Sequence, residues 1–368
     1  MLIAIDGNEA NISQRVGVNQ WAYELIKQLA QLKTEHKFIC FLKDRPLPDM
    51  PPVTENFSYE VFGPHRAWVL TGLTARLLKR PRPDILFSPS HYIPLLSPVK
   101  RICSIVDLSY EKFGREYFRE YDLQQLRRWS RLSVKRAAKV ITISQYSKND
   151  IIQLYRAKPE KIKVIYPGFD NSLYQPRIPL AKLKQVRDKY GIRGKYFLFV
   201  GTLQPRKNIA RLIEAFSLLK TNTKLVIVGK KGWLYDEILA IAQKLKVDNR
   251  VIFTGFAESN DMPALMKYSR AYVLPSLYEG FGIPVVEAQA CGALVVVSRV
   301  SSLPEVVGNS GLYIDDPKSV TDIRNALQKV LDLSKKKRLE LIETGKQNAT
   351  RFSWKKAARE LVSALEET

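Results

Sequence analysis

Short apolar runs alternate with amphipathic segments along this chain, and the alternation happens twice. Leu2–Ile5, Lys37–Leu42, Tyr59–Phe62, Ile85–Ser88, Arg101–Val106 and Lys139–Ile143 read as strands. Among them, Val18–Leu32 carries Trp21, Leu25, Ile26, Leu29 and Leu32 at helical spacing, and Ala67–Leu78 and Leu123–Ala138 also read as helices. Strands that alternate with helices need crossover connections, which implies parallel sheets covered on both faces. The pattern stops at Tyr166–Pro179, YPGFDNSLYQPRIP, whose Pro, Gly and Asn content marks a linker. It restarts with strands at Tyr196–Gly201, Lys224–Gly229, Val251–Thr254, Ala271–Leu274 and Leu294–Ser298. The helices between them are Ile209–Leu219, Leu234–Leu245, Met262–Ser269 and Pro284–Cys291, and Trp354–Leu365 is a last amphipathic helix. The expected class is α/β, with two doubly wound parallel-sheet domains of similar size. A chain of 368 residues suits that division. Such sheets bind ligands at the carboxyl ends of their strands, so two of them suggest a ligand held in a cleft they face.

Composition narrows the function. No apolar run reaches the ~20 residues of a membrane-spanning helix. MLIAIDGNEA has no basic region followed by an apolar one, and reads as a first strand rather than a signal peptide. Cys40, Cys103 and Cys291 are few and scattered, which suits a reducing, cytoplasmic setting without a disulfide framework. His36, His65 and His91 do not group either, so no metal site is expected. The formal net charge of +23 fits nucleic acid, an anionic membrane surface or phosphorylated substrates, or reflects a lysine-rich composition alone. Nucleic acid is set aside because no RRM, KH, zinc-finger or helix-turn-helix pattern occurs.

Two segments of the second half look built for an anion. In FVGTLQPRKNI a strand runs into Gly201, and Arg206 and Lys207 stand at the next helix start. Cations beside the positive end of a helix dipole are unfavourable unless they hold an anion, and this pair could grip a diphosphate. In EGFGIPVVE, Gly280 and Gly282 precede a helix with Pro284 in its first turn. Neither a Walker loop nor a GxGxxG fingerprint is present. Glu279 lies before this helix and Glu287 in its first turn. Carboxylates repel phosphate but accept from vicinal hydroxyls, so the two acids fit sugar and ribose on either side of a diphosphate. Glu287 alone could equally complement the helix dipole.

GTLQPRKNI, PSLYEGFGIPVVEA and SSLPEVVG resemble, in type, order and spacing, the donor-site motifs of glycosyltransferase family 4. RVGVNQWAYEL, ICSIVDLSY, ITISQYSKNDI, VIYPGFD and FSWKKAARELV extend the resemblance over nearly the whole chain. It implies the GT-B fold: a Rossmann-like acceptor-side domain over 1–170, a Rossmann-like donor-side domain over 171–350, and a helix over 351–368 that returns to the first. It implies a retaining transferase without a metal or other cofactor. The resemblance assigns Arg206 and Lys207 to the leaving diphosphate, Glu279 to the donor sugar and Glu287 to the ribose. The backbone of Gly280, Phe281, Gly282 and Ile283 would line sugar and phosphate. Gly17 would approach the phosphates or simply start a helix, and Phe256 would contact the base or pack in the core.

The chain departs from the family where many relatives carry a His-Asp pair. Val106 takes the histidine's place and Asp107 remains; His91, in SPSHYIP, is a substitute or an ordinary loop histidine. Arg66–Arg80 and Arg115–Lys139 mix cations with apolar and aromatic residues, as membrane-contacting helices or as solvated outer faces. The reading is a retaining hexosyltransferase that moves mannose from GDP-mannose, or glucose from UDP-glucose, to a glycan or lipid-linked acceptor in surface polysaccharide or glycolipid assembly. A nucleotide-sugar epimerase or hydrolase, or an inactive binding subunit, are the alternatives. The expected location is cytoplasmic, with peripheral contact at the inner membrane face.

Overall fold

The computed structural model describes residues 1–114, 120–230, 232 and 235–368, with Tyr235 and Asp236 given by their backbone. The chain divides into two compact units, Met1–Gly168 together with Ser353–Thr368, and Phe169–Phe352.

Unit 1 opens with β1 (Leu2–Asp6), α1 (Val18–Ala30), β2 (Lys37–Leu42) and β3 (Phe57–Val61). A π-helical turn, Val69–Leu73, runs into α2 (Thr74–Leu78), so the expected helix over Ala67–Leu78 is two pieces. Then come β4 (Ile85–Ser88), β5 (Lys100–Ser104), α3 (Ser109–Phe113), α4 (Glu120–Arg136), β6 (Lys139–Thr142), α5 (Gln145–Tyr155) and β7 (Ile162–Val164). The first five residues of the basic segment Arg115–Lys139 lie outside the described residues. The seven strands pair in the order β3-β2-β1-β4-β5-β6-β7, all parallel. The chain winds outward from β1 to β3, then restarts on the other side of β1 at β4. That reversal makes the carboxyl ends of β1 and β4 a topological switch point.

Unit 2 runs α6 (Leu180–Lys189), β8 (Tyr196–Val200), α7 (Ile209–Ser217), β9 (Lys224–Val228), α8 (Tyr235–Lys244) and β10 (Val251–Gly255). It continues with α9 (Met262–Lys267), β11 (Ala271–Leu274), α10 (Ile283–Ala290), β12 (Val295–Ser298), α11 (Leu303–Val307), β13 (Leu312–Ile314), α12 (Val320–Asp332) and α13 (Lys335–Ala349). Leu234, the expected start of α8, is outside the described residues. Six parallel strands follow the order β10-β9-β8-β11-β12-β13, with the reversal between β8 and β11. β4, β11 and β12 are buried along their whole length, as strands covered on both faces must be. Their continuous Val, Ile and Leu content made them readable as strands.

Helix starts are closed by serines. Ser144, Ser319 and Ser334 accept from the amides of Ser147 (3.0 Å), Asp322 (3.1 Å) and Lys337 (3.2 Å), each satisfying a donor that the helix itself cannot. No helix of the described residues is long and apolar enough to cross a membrane.

The last helix, α14 (Trp354–Glu366), belongs to unit 1. Its Trp354 ring lies 5.8 Å from that of Trp21 on α1. Gly168, the last residue of the first stretch of unit 1, lets α14 start where it does: a Cβ there would lie 2.0 Å from the Trp354 amide nitrogen. Because the obstacle is backbone, nothing flexible can yield. Gly168→Ala should therefore cost roughly 1–3 kcal/mol by forcing α14 outward. A urea titration of the variant tests this, and an unchanged midpoint contradicts it.

Candidate active site

The switch point of unit 2 gathers the sequence motifs. After β8 the chain passes Gly201 and makes a 3-10 turn, Pro205–Lys207, before α7. After β11 it passes Pro275 to Gly282 and enters α10. The two loops are stitched together by backbone and side chain alike. The Leu277 amide donates to the Arg206 carbonyl at 2.9 Å. Asn208, only 2% exposed, donates its Nδ2 to the carbonyls of Pro275 (3.0 Å) and Pro317 (2.6 Å). Arg206 donates to the Tyr278 carbonyl at 2.6 Å.

Glu279 sits in the middle of this weave and is 5% exposed. Its Oε1 accepts from Lys207 Nζ at 2.6 Å and from Ser276 Oγ at 2.6 Å, and its Oε2 lies 3.4 Å from Arg206. The Glu279 amide donates to Ser301 Oγ, and Ser302 Oγ donates to the Glu279 carbonyl, both at 2.9 Å. Burial pushes the carboxyl upward, but Lys207 and Arg206 outweigh it and hold Glu279 below the ordinary glutamate value. The two cations and the acid thus form one ionised cluster.

Gly201 closes the same corner from below. An added Cβ on Gly229 would lie 1.8 Å from the Gly201 carbonyl oxygen, so the ends of β8 and β9 touch through bare backbone. Gly282 caps α10 with φ 93°, a conformation that glycine alone adopts freely, and Ile283 and Pro284 form its first turn. Gly280 is buried. The Phe281 ring is 2% exposed and packs edge-on against Phe352 at 5.2 Å, so its side chain belongs to the core.

Glu287 is the fifth residue of α10, which starts at Ile283. It therefore stands beyond the first turn where the sequence spacing put it, and the helix dipole has faded there. Its partner is Tyr174, whose hydroxyl is hydrogen-bonded to it; burial first, and then the Glu287 charge, hold that phenol well above its usual range. Phe256 follows β10, an edge strand separated from β8 by β9. It is 61% exposed, which excludes the core packing that its position allowed.

The remaining candidates belong to unit 1. Gly17 caps α1 with φ 57° and ψ −119°, and a Cβ there would meet open space. Its backbone, not crowding, requires glycine. Val106 is 6% exposed. His91 follows β4, and its ring lies edge-on to Tyr92 (5.5 Å) and Tyr110 (6.0 Å). Burial pushes its imidazole down to about 4, against the opposing pull of Asp107, so it is neutral near pH 7. Its Nδ1 is shielded and has no partner among the described residues. Asp107 accepts from the Ser109 amide at 2.6 Å at the start of α3.

Sequence reasoning missed the polar frame: Asn208, Ser276, Ser301, Ser302 and Tyr174. Asn208 and the serines lay inside the quoted motifs, where a polar residue wedged among apolar ones was the available signal. Tyr174 lay in the linker and carried none.

Comparison with known proteins agrees with this architecture. Residues 184–348 match the family model "Glycosyl transferases group 1", and residues 16–173 match "Glycosyltransferase Family 4". The chain is 30% identical to O-antigen chain mannosyltransferase B of Escherichia coli, over 95% of each protein. It is 30% identical to the serotype-specific mannosyltransferase WbdA of E. coli over 71% of this chain, which spans 32% of that longer protein. Among solved structures, Anabaena Alr3699/HepE, determined with UDP and glucose, superposes with a TM-score of 0.79 at 20% identity, over 100% of this chain and 99% of that one. WaaG, a glycosyltransferase involved in lipopolysaccharide biosynthesis, gives 0.73 at 20% identity over 98% of both. The chain belongs to glycosyltransferase family 4 and has the GT-B fold, and its relatives include mannosyltransferases.

The ion cluster has a pH signature. A carboxyl depressed by its folded partners contributes stability in full above its unfolded value, here 4.5, and loses it as pH falls through the lower folded value. The native chain should therefore lose more stability than Glu279→Gln below pH 4.5. Urea midpoints measured at a series of acid pH values check this; parallel curves for the two proteins contradict it.

Proposed function

We propose that the chain is a retaining hexosyltransferase that moves mannose from GDP-mannose to a glycan or lipid-linked acceptor in surface polysaccharide or glycolipid biosynthesis. The observation that carries this reading is the Arg206–Lys207–Glu279 cluster at the switch point of unit 2, beside the capped start of α10. Arg206 and Lys207 take the diphosphate, Glu279 a hydroxyl of the donor sugar, and Glu287 the ribose. Gly201 and the backbone of Gly280 to Ile283 line the phosphates and sugar, and Phe256 offers an exposed ring to the base. Mannose is favoured over glucose because the relative matched along 95% of the chain is named a mannosyltransferase. UDP-glucose is the second donor to consider.

The chemistry follows from charge. As the bond from the anomeric carbon to the phosphate oxygen breaks, positive charge grows on the carbon and negative charge on the leaving diphosphate. Preorganised cations and amides stabilise that separation more than the ground state. The leaving phosphate takes the acceptor hydroxyl's proton as the new glycosidic bond forms on the same face, which retains configuration. No metal or other cofactor is assigned a step. His91 stands in for the family histidine that Val106 replaces; neutral near pH 7, it can share a proton with a sugar hydroxyl.

The acceptor side carries the membrane reading. Leu70, Leu78 and Tyr121 are 42%, 55% and 80% exposed among the cations of the two basic segments. In a chain of charge +23, they suit peripheral contact with an anionic, cytoplasmic-facing bilayer.

Arg206→Ala and Lys207→Ala should each lower kcat/KM by about 10²-fold. Steady-state assays with GDP-mannose and a mannose-terminated acceptor, alongside circular dichroism to confirm folding, test this. Folded variants with native kinetics refute the site. Product NMR should show the donor's anomeric configuration, and an inverted product refutes retention. GDP-mannose should raise the melting temperature more than UDP-glucose; the opposite order reassigns the donor.

A further inference from the structure

Glu279 and Glu287 are held in different ways. Glu279 is gripped by two cations and a serine, and the cations offset its charge as they fix it. Glu287, in the second turn of α10, is bonded to the Tyr174 hydroxyl, a neutral donor that orients a carboxylate without cancelling its charge.

Tyr174 comes from far along the chain, in the stretch that opens unit 2. Its own place is secured twice. Asp170 makes a turn, its Oδ1 accepting from the amides of Ser172 (2.8 Å) and Leu173 (3.2 Å), and the Tyr174 amide donates to the Asp170 carbonyl at 2.9 Å. The Tyr174 ring packs against the core of unit 2. A side chain so seated keeps its hydroxyl in one place, whereas a glutamate alone swings through several rotamers. The phenol also stays protonated near pH 7, since burial and the Glu287 charge both oppose its ionisation, so it donates rather than repels. The pair lies on the side of unit 2 where the ion cluster sits. Tyr272, fully buried on β11, has its phenol raised by burial and then by the charges of Glu279 and Glu287, so both carboxylates lie near one ring.

A hydrogen bond from Tyr174 takes one lone-pair direction of the carboxylate and leaves the others for a pair of vicinal hydroxyls. We propose that Tyr174 is a positioning residue, which presents the Glu287 carboxylate to the 2′- and 3′-hydroxyls of the donor's ribose. It touches no substrate and acts through Glu287 alone. The proposal rests on the reading of Glu287 as the ribose contact and adds the group that makes this contact selective. A carboxylate locked in one orientation meets two hydroxyls at a fixed spacing without further ordering; one free to turn loses part of the gain to the ordering itself.

The test is calorimetric titration of the full chain with GDP and with 2′,3′-dideoxy-GDP, or with the matching UDP pair if UDP raises the melting temperature more. The native chain should bind the ribose form at least roughly tenfold more tightly, the effect of hydrogen bonds to a charged group. Tyr174→Phe keeps the ring and loses the hydroxyl. It should weaken the ribose form roughly five- to tenfold and leave the dideoxy form unchanged, whereas a loss of packing alone would weaken both equally. The double variant Tyr174→Phe/Glu287→Gln should discriminate between the two nucleotides as Glu287→Gln alone does, because the tyrosine has no second route to the ribose. In transfer assays Tyr174→Phe should raise KM for the donor and leave kcat unchanged. Native discrimination in folded Tyr174→Phe, equal weakening of both nucleotides, or a native chain that binds both alike overturns the proposal. The two readings fail separately. Ribose discrimination that depends on Tyr174, in a chain that transfers no sugar, refutes the transferase reading and leaves the positioning role standing. Sugar transfer without ribose discrimination does the reverse.

Discussion

An ionised carboxylate as deeply buried as Glu279 persists only where fixed charges and donors replace the water it has lost. Here the replacements come from several stretches of chain: Lys207 and Arg206 after β8, Ser276 after β11, and Ser301 and Ser302, which grip its backbone, after β12. None can move without stranding the others. Asn208 adds a tie to Pro317, after β13. The cluster therefore acts as a structural knot at the carboxyl edge of β8, β11, β12 and β13, and it holds two cations in place before any ligand arrives. Breaking such a pair from one side costs roughly 3–5 kcal/mol, because a buried charge is left behind.

That coupling explains which parts of the fold could be read in advance. The strands were legible because parallel strands are buried on both faces and show as unbroken apolar runs; Ala271–Leu274 and Lys37–Leu42 come out as expected. The family and its GT-B fold were legible because short motifs tie glycine, cation and acid to fixed spacings. Residues 303–349 were assigned no elements, yet they hold α11, β13, α12 and α13. β13 is three residues long, and α11 five, too short for periodicity to register. α13, KKKRLELIETGKQNA, buries only Leu341, Gly345 and Ala349, so its sequence shows little apolar stripe. α3, α5, α6 and β7 were overlooked for similar reasons of length or polarity.

Within the site, the sequence indicated residue types and missed their mutual arrangement. It assigned Glu279 to sugar hydroxyls and Arg206 and Lys207 to phosphate as separate tasks, whereas the three side chains are bonded to one another. It placed Glu287 in the first turn, since Pro284 suggested a helix start one residue later than the observed one at Ile283. It left Phe256 between core and ligand, a choice that only exposure decides. Polar groups that support other polar groups, such as Asn208 and Tyr174, leave no periodic trace because their partners come from remote strands.

The bonded arrangement changes how the proposed reaction must begin. Lys207 and Arg206 already face Glu279, at 2.6 and 3.4 Å. A diphosphate entering beside α10 brings charge that competes with the carboxylate for the same N–H groups. Lysine has three donors and arginine five, so both can serve two anions at once, whereas the carboxylate has lone pairs that the cations do not fill. As the cations turn partly toward phosphate, Glu279 is left short of donors, and a vicinal hydroxyl of the sugar is the group best able to supply them. In the proposed reaction, diphosphate and sugar would then be bound through a single exchange. The ion pair would thus couple recognition of the donor's diphosphate to recognition of its sugar.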